Sequence, residues 1–281
     1  MNITIKIQKD KKPRIYQHHS LEKLYDIFKE MGERHSSYKH YAPEYKIDNI
    51  INKGYIYLSD GHNWNDPVDK HKMTKNSFAI CFSCSSFESV AMWMLYGGID
   101  KKGALIDFNQ NMMKNLCHLS QEISFGHFNG NEFVTAELSD DDFKKNPDIN
   151  LVDIGYIEHK EDKENKSTII KVSDKYTVTI DEILDNLQYT KNPAWDYEKE
   201  CRLIVSTYPK NPDLFESKNV DTLRIKLDEK DLKKLQERIY LSPVHPNKYD
   251  RRSRKYIPRP SQLSGKVDWD LCPHKCKYKN S

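Results

Sequence analysis

Short runs of alternating apolar and polar residues recur along the chain and predict β-strands. Residues 3–7 read Ile-Thr-Ile-Lys-Ile, and residues 55–59 read Tyr-Ile-Tyr-Leu-Ser. Because successive side chains of a strand point to opposite faces, this alternation is typical of a strand with one buried face. The same reasoning predicts strands at residues 14–19, 78–83, 102–108, 152–157, 168–178, 198–205, 222–227 and 239–241.

Apolar residues at helical spacing lie between these strands. Leu21, Leu24, Tyr25 and Phe28 share one face of a predicted helix over residues 21–31. Strands and helices follow each other without strict β-α-β alternation, so the pattern indicates an α+β fold. We expect a single domain followed by a basic, irregular extension. The domain is predicted over residues 1–245, the extension over 246–281, and further helices over 45–52, 90–96, 111–119, 180–187 and 228–236.

Three stretches rich in polar residues predict loops, at residues 35–43, 60–67 and 158–167. Ser85 and Glu88 have the spacing of a capping box, which predicts that they begin the helix at residues 90–96. Residues 120–150 carry little signal apart from an acidic run at 139–142, which predicts a short helix or loop.

Composition excludes several classes of protein. With 37% hydrophobic and 31% charged residues, the chain is polar but foldable rather than disordered. No run approaches the ~20 apolar residues of a membrane helix, and the N-terminus lacks the apolar core of a signal peptide. Six cysteines are too few for a disulfide scaffold, so we expect reduced thiols and a cytoplasmic location. The net charge of +3 is too small to indicate nucleic-acid binding by itself.

The most informative stretch is residues 195–202, which read Trp-Asp-Tyr-Glu-Lys-Glu-Cys-Arg. In a strand that begins at Glu198, the side chains of Glu198, Glu200 and Arg202 point one way, while Cys201 points into a core. Two carboxylates and a guanidinium are costly to bury unless they are paired or used in chemistry. The stretch is therefore either a solvated edge with a Glu–Arg pair or a functional site.

Common catalytic motifs are absent from the sequence. The chain has neither Gly-x-Gly-x-x-Gly nor a P-loop, and neither Gly-x-Ser-x-Gly nor His-Glu-x-x-His. Cys272, His274 and Cys276 lack the usual Cys-x2-Cys spacing of a zinc site. Cys81 and Cys84 are three residues apart on a predicted strand and face opposite ways, which disfavours a shared metal. We therefore predict no metal site.

The paired glutamates suit the cleavage of an N-glycosidic bond. That reaction passes through an oxocarbenium-like cation, which a nearby carboxylate stabilises. A second carboxylate on the same face can activate the attacking acceptor. Aromatic residues such as Trp195 and Tyr197 can stack on a nicotinamide or adenine ring. A Glu-x-Glu pair by itself is a weak motif for this chemistry.

The order of motifs over residues 14–206 resembles a widespread bacterial family of uncharacterised domains, which is usually marked by Phe-Asn-Asp-Pro, Cys-Phe-Ser, Met-Trp-x-x-Tyr and Trp-x-x-Glu-x-Glu-x-Arg. In this chain Trp64 stands in place of the usual Phe. The family in turn is similar to the ADP-ribosyltransferases, which implies a split-sheet fold and NAD as substrate. The motif residues here are Trp64-Asn65-Asp66-Pro67, Cys81-Phe82-Ser83, Met92-Trp93 with Tyr96-Gly97, Lys102-Gly103, and Trp195 with Tyr197, Glu198, Glu200 and Arg202.

The resemblance also implies residue roles. Glu200 corresponds to the catalytic carboxylate and Glu198 to the carboxylate that activates the acceptor. The middle residue is Ser83 or Tyr57, and the first-strand residue is Arg14 or His18, so both the Arg-Ser-Glu and the His-Tyr-Glu patterns stay open. The expected NAD-binding residues are Arg14, Tyr16, His18, Tyr57, Asn65, Asp66, Ser83, Trp93, Tyr96 and Arg202.

Simpler roles are also open for several of these residues. Arg202 pairs with a glutamate whatever the function, Trp93 is typical of a core, and Asn65 and Asp66 are typical turn residues.

The basic run at residues 248–259 is either a solvated tail or a surface that binds phosphates, for which the candidates are Arg251, Arg252, Arg254 and Lys255.

Three functional hypotheses follow. The first is an NAD-dependent ADP-ribosyltransferase, which the resemblance suggests is a toxin or phage-defence effector. It would modify RNA, for preference, or DNA or protein, and would need a neutralising antitoxin partner. The second is a non-catalytic module that binds nucleic acid or protein. The third is an NAD glycohydrolase, in which water replaces the acceptor at the same site.

Overall fold

The computed structural model describes most of the chain. The described residues are 3–9, 12–18, 21–62, 64, 66, 69, 73, 75–97, 102–118, 122–161, 166–173, 176–180, 189–245 and 256–264. The predicted helix at residues 180–187, from residue 181 onward, and the four basic candidates near residue 252 lie outside this range.

Strands outnumber helices, and helices and strands are mixed along the chain, which confirms the α+β class. The strands are β1 (Ile3–Lys9), β2 (Lys12–His18), β3 (Ser37–Pro43), β4 (Tyr55–Ser59), β5 (Ser77–Ser83), β6 (Gly103–Asn109), β7 (Ile123–Asn129), β8 (Glu132–Thr135), β9 (Asp148–Asp153), β10 (Gly155–Glu161), β11 (Lys166–Ser173), β12 (Tyr176–Ile180), β13 (Thr190–Lys191), β14 (Glu200–Ser206), β15 (Thr222–Lys226), β16 (Ile239–Leu241) and β17 (Arg259–Pro260). The α-helices are α1 (Leu21–Gly32), α2 (Glu44–Lys53), α3 (Val90–Tyr96), α4 (Gln110–His118), α5 (Leu214–Ser217) and α6 (Glu229–Gln236), with 3₁₀ helices at Asp140–Asp142 and Pro193–Glu198.

Local sequence signals explain several helix ends. Gly54 follows α2 in a left-handed conformation, with φ of 73°, and its N–H donates to the carbonyl of Ile50. Asp228 caps α6 by accepting hydrogen bonds from the N–H groups of Lys230 and Asp231. These two helices end and begin where the sequence predicts.

Several sequence predictions of local structure are wrong, among them the single strand at residues 168–178, which corresponds to β11 and β12. Residues 37–43, predicted as a loop, form β3. The buried positions of this strand come in pairs and do not alternate, so the sequence lacks the usual strand pattern there. Residues 152–157, predicted as one strand, belong to two strands that are separated at Ile154. The predicted loop at 158–167 contains the end of β10 and the start of β11.

The chain divides into two compact units, each built from several segments. The first comprises Met1–Tyr38, Tyr55–Cys84 and Asn109–Leu227, and the second comprises Lys39–Gly54, Ser85–Phe108 and Asp228–Ser281. The predicted boundary between residues 245 and 246 adjoins residues outside the described range, and it stays a prediction.

Two sheets build the first unit. One has the strand order β13-β10-β11-β12-β1-β2. In the other, β14 is antiparallel to both β5 and β9, and β5 continues to β4, β15, β7 and β8. The apolar core packs α1 and β9 together with strands of both sheets. Gly32 at the end of α1 permits this close approach, since a Cβ there would lie 2.5 Å from the carbonyl oxygen of Leu151.

The second unit contains α3 and the strand order β17-β16-β6-β3. Ser89, rather than Ser85, caps α3 by accepting from the N–H of Met92. Glu88 instead accepts hydrogen bonds from the indole N–H of Trp93, at 2.9 Å, and from the hydroxyl of Ser261. The predicted capping box is therefore wrong, because Glu88 anchors the 261–264 segment within this unit.

Within the described part of the chain, none of the helices combines the length and the apolar character that a membrane crossing requires.

Candidate active site

Strand pairing places the glutamate–arginine stretch beside a second set of polar residues. In the antiparallel pair of β14 and β5, Glu200 lies opposite Ser83 and Arg202 lies opposite Cys81. Directly opposed residues share a face of the sheet, so these four side chains project to the same side. The sequence prediction that Glu200 and Arg202 share a face is consistent with this register.

Arg202 is fully buried and is held by two carboxylates. Its Nε donates to Glu200 Oε1 at 2.6 Å, and its Nη2 donates to Glu200 Oε2 at 3.2 Å and to Asp69 Oδ2 at 2.5 Å. Charge-assisted hydrogen bonds of this kind are the strong ones in proteins. The expected pairing of Arg202 with a glutamate is confirmed, and Asp69 is an additional partner from a distant part of the sequence.

Lys191, at the end of β13, adds a second cation. Its ammonium lies 2.7 Å from Glu198 Oε2, 2.7 Å from Glu200 Oε2 and 3.3 Å from Asp69 Oδ2. We call Asp69, Lys191, Glu198, Glu200 and Arg202 the charged cluster. Its side chains have exposed fractions between 0 and 6%, so the charges stabilise one another inside the protein rather than through water.

Glu198 belongs to the charged cluster, but it does not lie on the predicted strand. It is the last residue of the 3₁₀ helix Pro193–Glu198 and not part of β14. Lys199 follows in the left-handed conformation, with φ of 46°, and turns the chain into the strand. The prediction of a strand from residue 198 is therefore wrong, although both glutamates point into one cluster because Lys191 bridges them.

The electrostatics of the charged cluster keep Glu200 ionised. Burial would raise the pKa of Glu200, but Arg202 and Lys191 lower it far below its ordinary value. Burial would lower the pKa values of Lys191 and Arg202, whereas Glu200 raises both. Glu200 is therefore a poor proton donor and a permanent negative charge, which suits the stabilisation of a cation.

Aromatic rings cover the two cations. The guanidinium carbon of Arg202 lies 4.6 Å from the ring centre of Trp64, and the ammonium of Lys191 lies 5.4 Å from that of Trp195. A third aromatic residue, Tyr156, lies next to Glu200, and its hydroxyl accepts a hydrogen bond from the backbone N–H of Glu200 at 3.0 Å. The tryptophans of the two flanking motifs thus belong to one site.

Three buried polar atoms at this site have no hydrogen-bond partner among the described residues. They are Asp69 Oδ1, Ser83 Oγ and Arg202 Nη1. Buried polar groups in proteins are nearly always paired, and exceptions often mark a place for water or a ligand. A carboxylate oxygen, a hydroxyl and a guanidinium N–H can together accept from and donate to a polar ligand.

The structure brings together only part of the predicted NAD-binding set. Ser83, Arg202, Glu198 and Glu200 meet at the charged cluster. Tyr57 packs instead against Phe128 and Phe133, with ring centres at 5.1 and 5.8 Å.

For three other members of that set, the structure shows local surroundings. Trp93 is a buried core residue of the second unit, as the simpler interpretation expects, and Tyr96 packs against the same core. Asp66 is half-buried and has contacts within the protein.

The remaining candidates are placed only in part. The backbone of Arg14, Tyr16 and His18 lies in β2, the last strand of its sheet, paired with Ile7, Ile5 and Ile3 respectively. Asn65, Arg251, Arg252, Arg254 and Lys255 lie outside the described residues.

Sequence reasoning missed Lys191, Asp69 and Tyr156. Lys191 directly precedes Asn192-Pro193, a pair typical of turns, and Asp69 follows the Trp64 to Pro67 motif by two residues. Neither position carries a periodic or motif signal. A need for cations beside two glutamates could have prompted a search for a lysine, but only the fold identifies which one.

Metal ligation has no support in the described residues, which contain no group of three or more His, Cys, Asp or Glu side chains that could hold a metal ion. Cys81 lies in β5 beside Glu200, whereas Cys84 follows the end of that strand and lies beside His35, so the prediction that both belong to one strand is wrong. Cys272, His274 and Cys276 lie outside the described residues.

Comparison with known proteins gives one match. Residues 92–203 match a family model described as "Protein of unknown function (DUF2971)", which covers less than half of the chain. No curated protein and no solved structure matches the chain. The matched region includes Met92-Trp93, Lys191 and the stretch from Trp195 to Arg202, whereas Asp69 and Ser83 precede it.

Proposed function

We propose that this protein is an NAD-dependent ADP-ribosyltransferase that uses the charged cluster as its active site. The observation that carries the proposal is the convergence of Glu198 and Glu200 on one lysine, beside two tryptophans and three buried polar atoms that have no partner in the described part of the chain. A structural ion-pair network needs the charges, but it does not need unpartnered atoms, which are costly to bury.

The ionisation state of Glu200 supports this reaction class over acid catalysis. Cleavage of the bond between ribose and nicotinamide places positive charge on the ribose ring, and an ionised carboxylate stabilises that charge. Because Arg202 and Lys191 lower the pKa of Glu200, its carboxylate carries the negative charge throughout the neutral range. In the proposed reaction, nicotinamide leaves with the bonding electrons, and a nucleophilic oxygen or nitrogen of the acceptor attacks the same ribose carbon.

Lys191 has a specific part in this proposal. It contacts one oxygen of Glu200 and Arg202 contacts both, so three of the about four acceptor positions of the carboxylate are occupied. A shift of the Lys191 ammonium toward Glu198 or Asp69, which it also contacts, would free an oxygen of Glu200 for a ribose hydroxyl. We therefore expect substrate to enter from the side of Lys191 and Trp195.

The decisive experiment incubates purified protein with labelled NAD and, separately, with total RNA, DNA and cell lysate. We expect nicotinamide release and labelling of one pool, with RNA favoured, by wild type but not by Glu200→Gln. Glu198→Gln should reduce transfer to the acceptor more than nicotinamide release. Glu122→Gln is the matched control, because this exposed glutamate pairs with Lys226 and lies outside the charged cluster.

The outcomes separate the hypotheses. Nicotinamide release without any labelled macromolecule would indicate an NAD glycohydrolase. Neither release nor labelling, with normally folded wild type, would reject the proposal and favour a non-catalytic binding module. Circular dichroism of each variant distinguishes lost chemistry from lost structure.

The toxin or phage-defence role is part of the same proposal and rests on the resemblance described above. Its test is induced expression in a bacterial host. Growth arrest by wild type, together with normal growth on expression of Glu200→Gln, is the expected result, and a gene that relieves the arrest would identify the antitoxin partner.

A further inference from the structure

A second polar cluster lies on the opposite face of the β5–β14 pair. Cys201 is opposite Phe82 in β5 and opposite Asp153 in β9, and it alternates with Glu200 and Arg202 along β14. Its side chain therefore points away from the charged cluster. We call His35, Cys84, Asp153 and Cys201 the thiol cluster.

Strand register and one hydrogen bond bring the four members of the thiol cluster together. His35 Nε2 lies 2.6 Å from Asp153 Oδ1, and Asp153 lies directly opposite Cys201 in the β9–β14 pair. The backbone N–H of Cys84 donates to the carbonyl oxygen of Lys199, which continues the β5–β14 pairing and makes Cys84 the diagonal neighbour of Cys201. The Cys84 side chain is also close enough to His35 to raise the pKa of the ring. A base held by a carboxylate and directed at a thiol is the arrangement that activates cysteine nucleophiles.

Accessibility differs between the two thiols. Cys84 is half-buried and the His35 side chain is 27% exposed, so this side of the cluster lies nearer to solvent than Cys201 does. Cys201 is completely buried, and its sulfur also approaches the carbonyl oxygen of Gly32 at 3.9 Å. The cluster thus pairs a half-buried cysteine with a completely buried one.

We infer that Cys84 is a peroxide-reactive thiol, activated by His35 and Asp153, and that Cys201 is the thiol that resolves it into a disulfide. The position of Cys201 as the diagonal neighbour of Cys84 favours this chemistry over acyl transfer, since acyl transfer has no use for a second thiol. Hydrogen peroxide has only two heavy atoms, so it can reach a half-buried thiol. The inference does not depend on the proposed transferase activity.

The first step oxidises Cys84 to a sulfenic acid, and it takes up one proton from His35. The Cys84 thiolate attacks one oxygen of hydrogen peroxide, an S–O bond forms and the O–O bond breaks. The leaving hydroxide takes the proton of the His35 imidazolium and departs as water. Sulfur is oxidised to sulfenic acid while the peroxide is reduced, and His35 is left neutral.

The second step consumes Cys201. Its sulfur attacks the sulfenic sulfur of Cys84, an S–S bond forms and the S–O bond breaks, and the hydroxide leaves as a second water with the Cys201 proton. Neutral His35 is placed to relay that proton. Loss of the thiolate charge on Cys84 also removes one of the causes that raise the pKa of Cys201.

The charges around the thiols favour the starting state of this reaction, which is a Cys84 thiolate beside a His35 imidazolium. Burial would lower the pKa of His35, but hydrogen bonds to Asp153 and Cys84 raise it to about 10. Burial would raise the pKa of Cys84, whereas hydrogen bonds from Cys201 and His35 lower it. Burial raises the pKa of Tyr38, which also faces the cluster, so its hydroxyl stays neutral and donates to the carbonyl oxygen of Gly32.

The test oxidises the full, reduced wild-type chain with hydrogen peroxide at pH 7 and maps its cysteines by mass spectrometry. We expect a disulfide between Cys84 and Cys201, and oxidation of Cys84 ~10-fold faster than that of Cys117. Cys117 is the internal control, because burial raises its pKa to about 12. Equal rates at these two cysteines, or a disulfide that excludes Cys84, would overturn the inference.

Variants separate the two roles. Cys201→Ser should accumulate the sulfenic acid of Cys84, which dimedone traps, while Cys84→Ser should leave Cys201 reduced. His35→Gln should slow oxidation of Cys84, and an unchanged rate would contradict activation by the imidazole. The wild-type mapping needs no variant, so the inference stays testable where a substitution prevents folding.

Discussion

Arg202 and Glu200 lie two positions apart on one face of β14 and form a two-pronged ion pair, with Nε 2.6 Å from Oε1 and Nη2 3.2 Å from Oε2. Both side chains are almost fully buried. Each charge depends on its partners, which for Glu200 include Lys191 and for Arg202 include Asp69, since an isolated buried charge is strongly destabilising. This dependence makes the pair a sensitive point for both stability and function.

Removing the arginine should therefore destabilise the protein strongly. We expect Arg202→Met to lower the free energy of unfolding by about 3–5 kcal/mol, because it leaves Lys191 as the one cation among three buried carboxylates of the charged cluster, those of Asp69, Glu198 and Glu200. Urea unfolding followed by circular dichroism measures the change. Lys226→Met is the matched control, since Lys226 forms an exposed pair with Glu122 and should change stability little. Equal effects of the two substitutions would contradict the assigned role of the buried pair.

Ser83 offers a test that separates function from stability. Its hydroxyl is buried and has no partner among the described residues, so Ser83→Ala should leave the free energy of unfolding unchanged or slightly raise it. If a ligand bonds to this hydroxyl, the same variant should lower NAD turnover by roughly 5- to 20-fold, the equivalent of one hydrogen bond.

The control for Ser83 lies on the same strand. Ser77, at the other end of β5, is also buried, and Ser77→Ala should leave NAD turnover unchanged. Turnover that is normal in both variants would place Ser83 outside the substrate site.

Stability should depend on pH through His35. Its pKa is raised to about 10, so the folded state favours the protonated ring. That stabilisation is complete below the unfolded pKa of about 6.5 and is lost as the pH rises through about 10. We expect His35→Gln to cost roughly 2 kcal/mol at pH 6 and much less at pH 10.

Unfolding in urea at pH 6, 8 and 10 measures this dependence. The control is His62→Gln, because the His62 side chain is 85% exposed although it contacts Asp60. The same pH profile for both variants would show that the Asp153 contact does not bias the ionisation of His35.

Glu88 should hold the 261–264 segment in the second unit. Its carboxylate accepts from the Trp93 indole, the Ser261 hydroxyl and the backbone N–H of Gln262. We expect Glu88→Leu to lower the free energy of unfolding by about 2–4 kcal/mol and to speed hydrogen exchange at Leu263, because buried donors lose their acceptor.

Exposed Glu237 provides the control for Glu88 within the same unit. Glu237→Leu should leave both stability and exchange near residue 263 unchanged. Exchange in Glu88→Leu that matches this control would show that the segment is held by other contacts.

Much of the secondary structure follows from the sequence, because periodicity reports which side of an element is buried. The strand at residues 222–227 and the helix at 228–236 are examples, and they match β15 and α6 closely. Prediction fails where burial does not follow a simple period. In β3 both faces are partly covered, so Tyr38, Lys39, Tyr41 and Ala42 are all buried and no alternation is visible.

For the candidate site too, some relationships follow from the sequence and others only from the fold. The sequence by itself determined that Glu200 and Arg202 share a face, since a strand has a period of two residues. Only the tertiary structure decided that Asp69, 133 residues away from Arg202, and Lys191 complete the charged cluster. Likewise, strand register brings Cys84 beside Cys201, and the fold brings His35 to Asp153 across 118 residues. Local periodicity fixes the direction of a side chain, but its distant partner depends on strand pairing and packing, which no local pattern encodes.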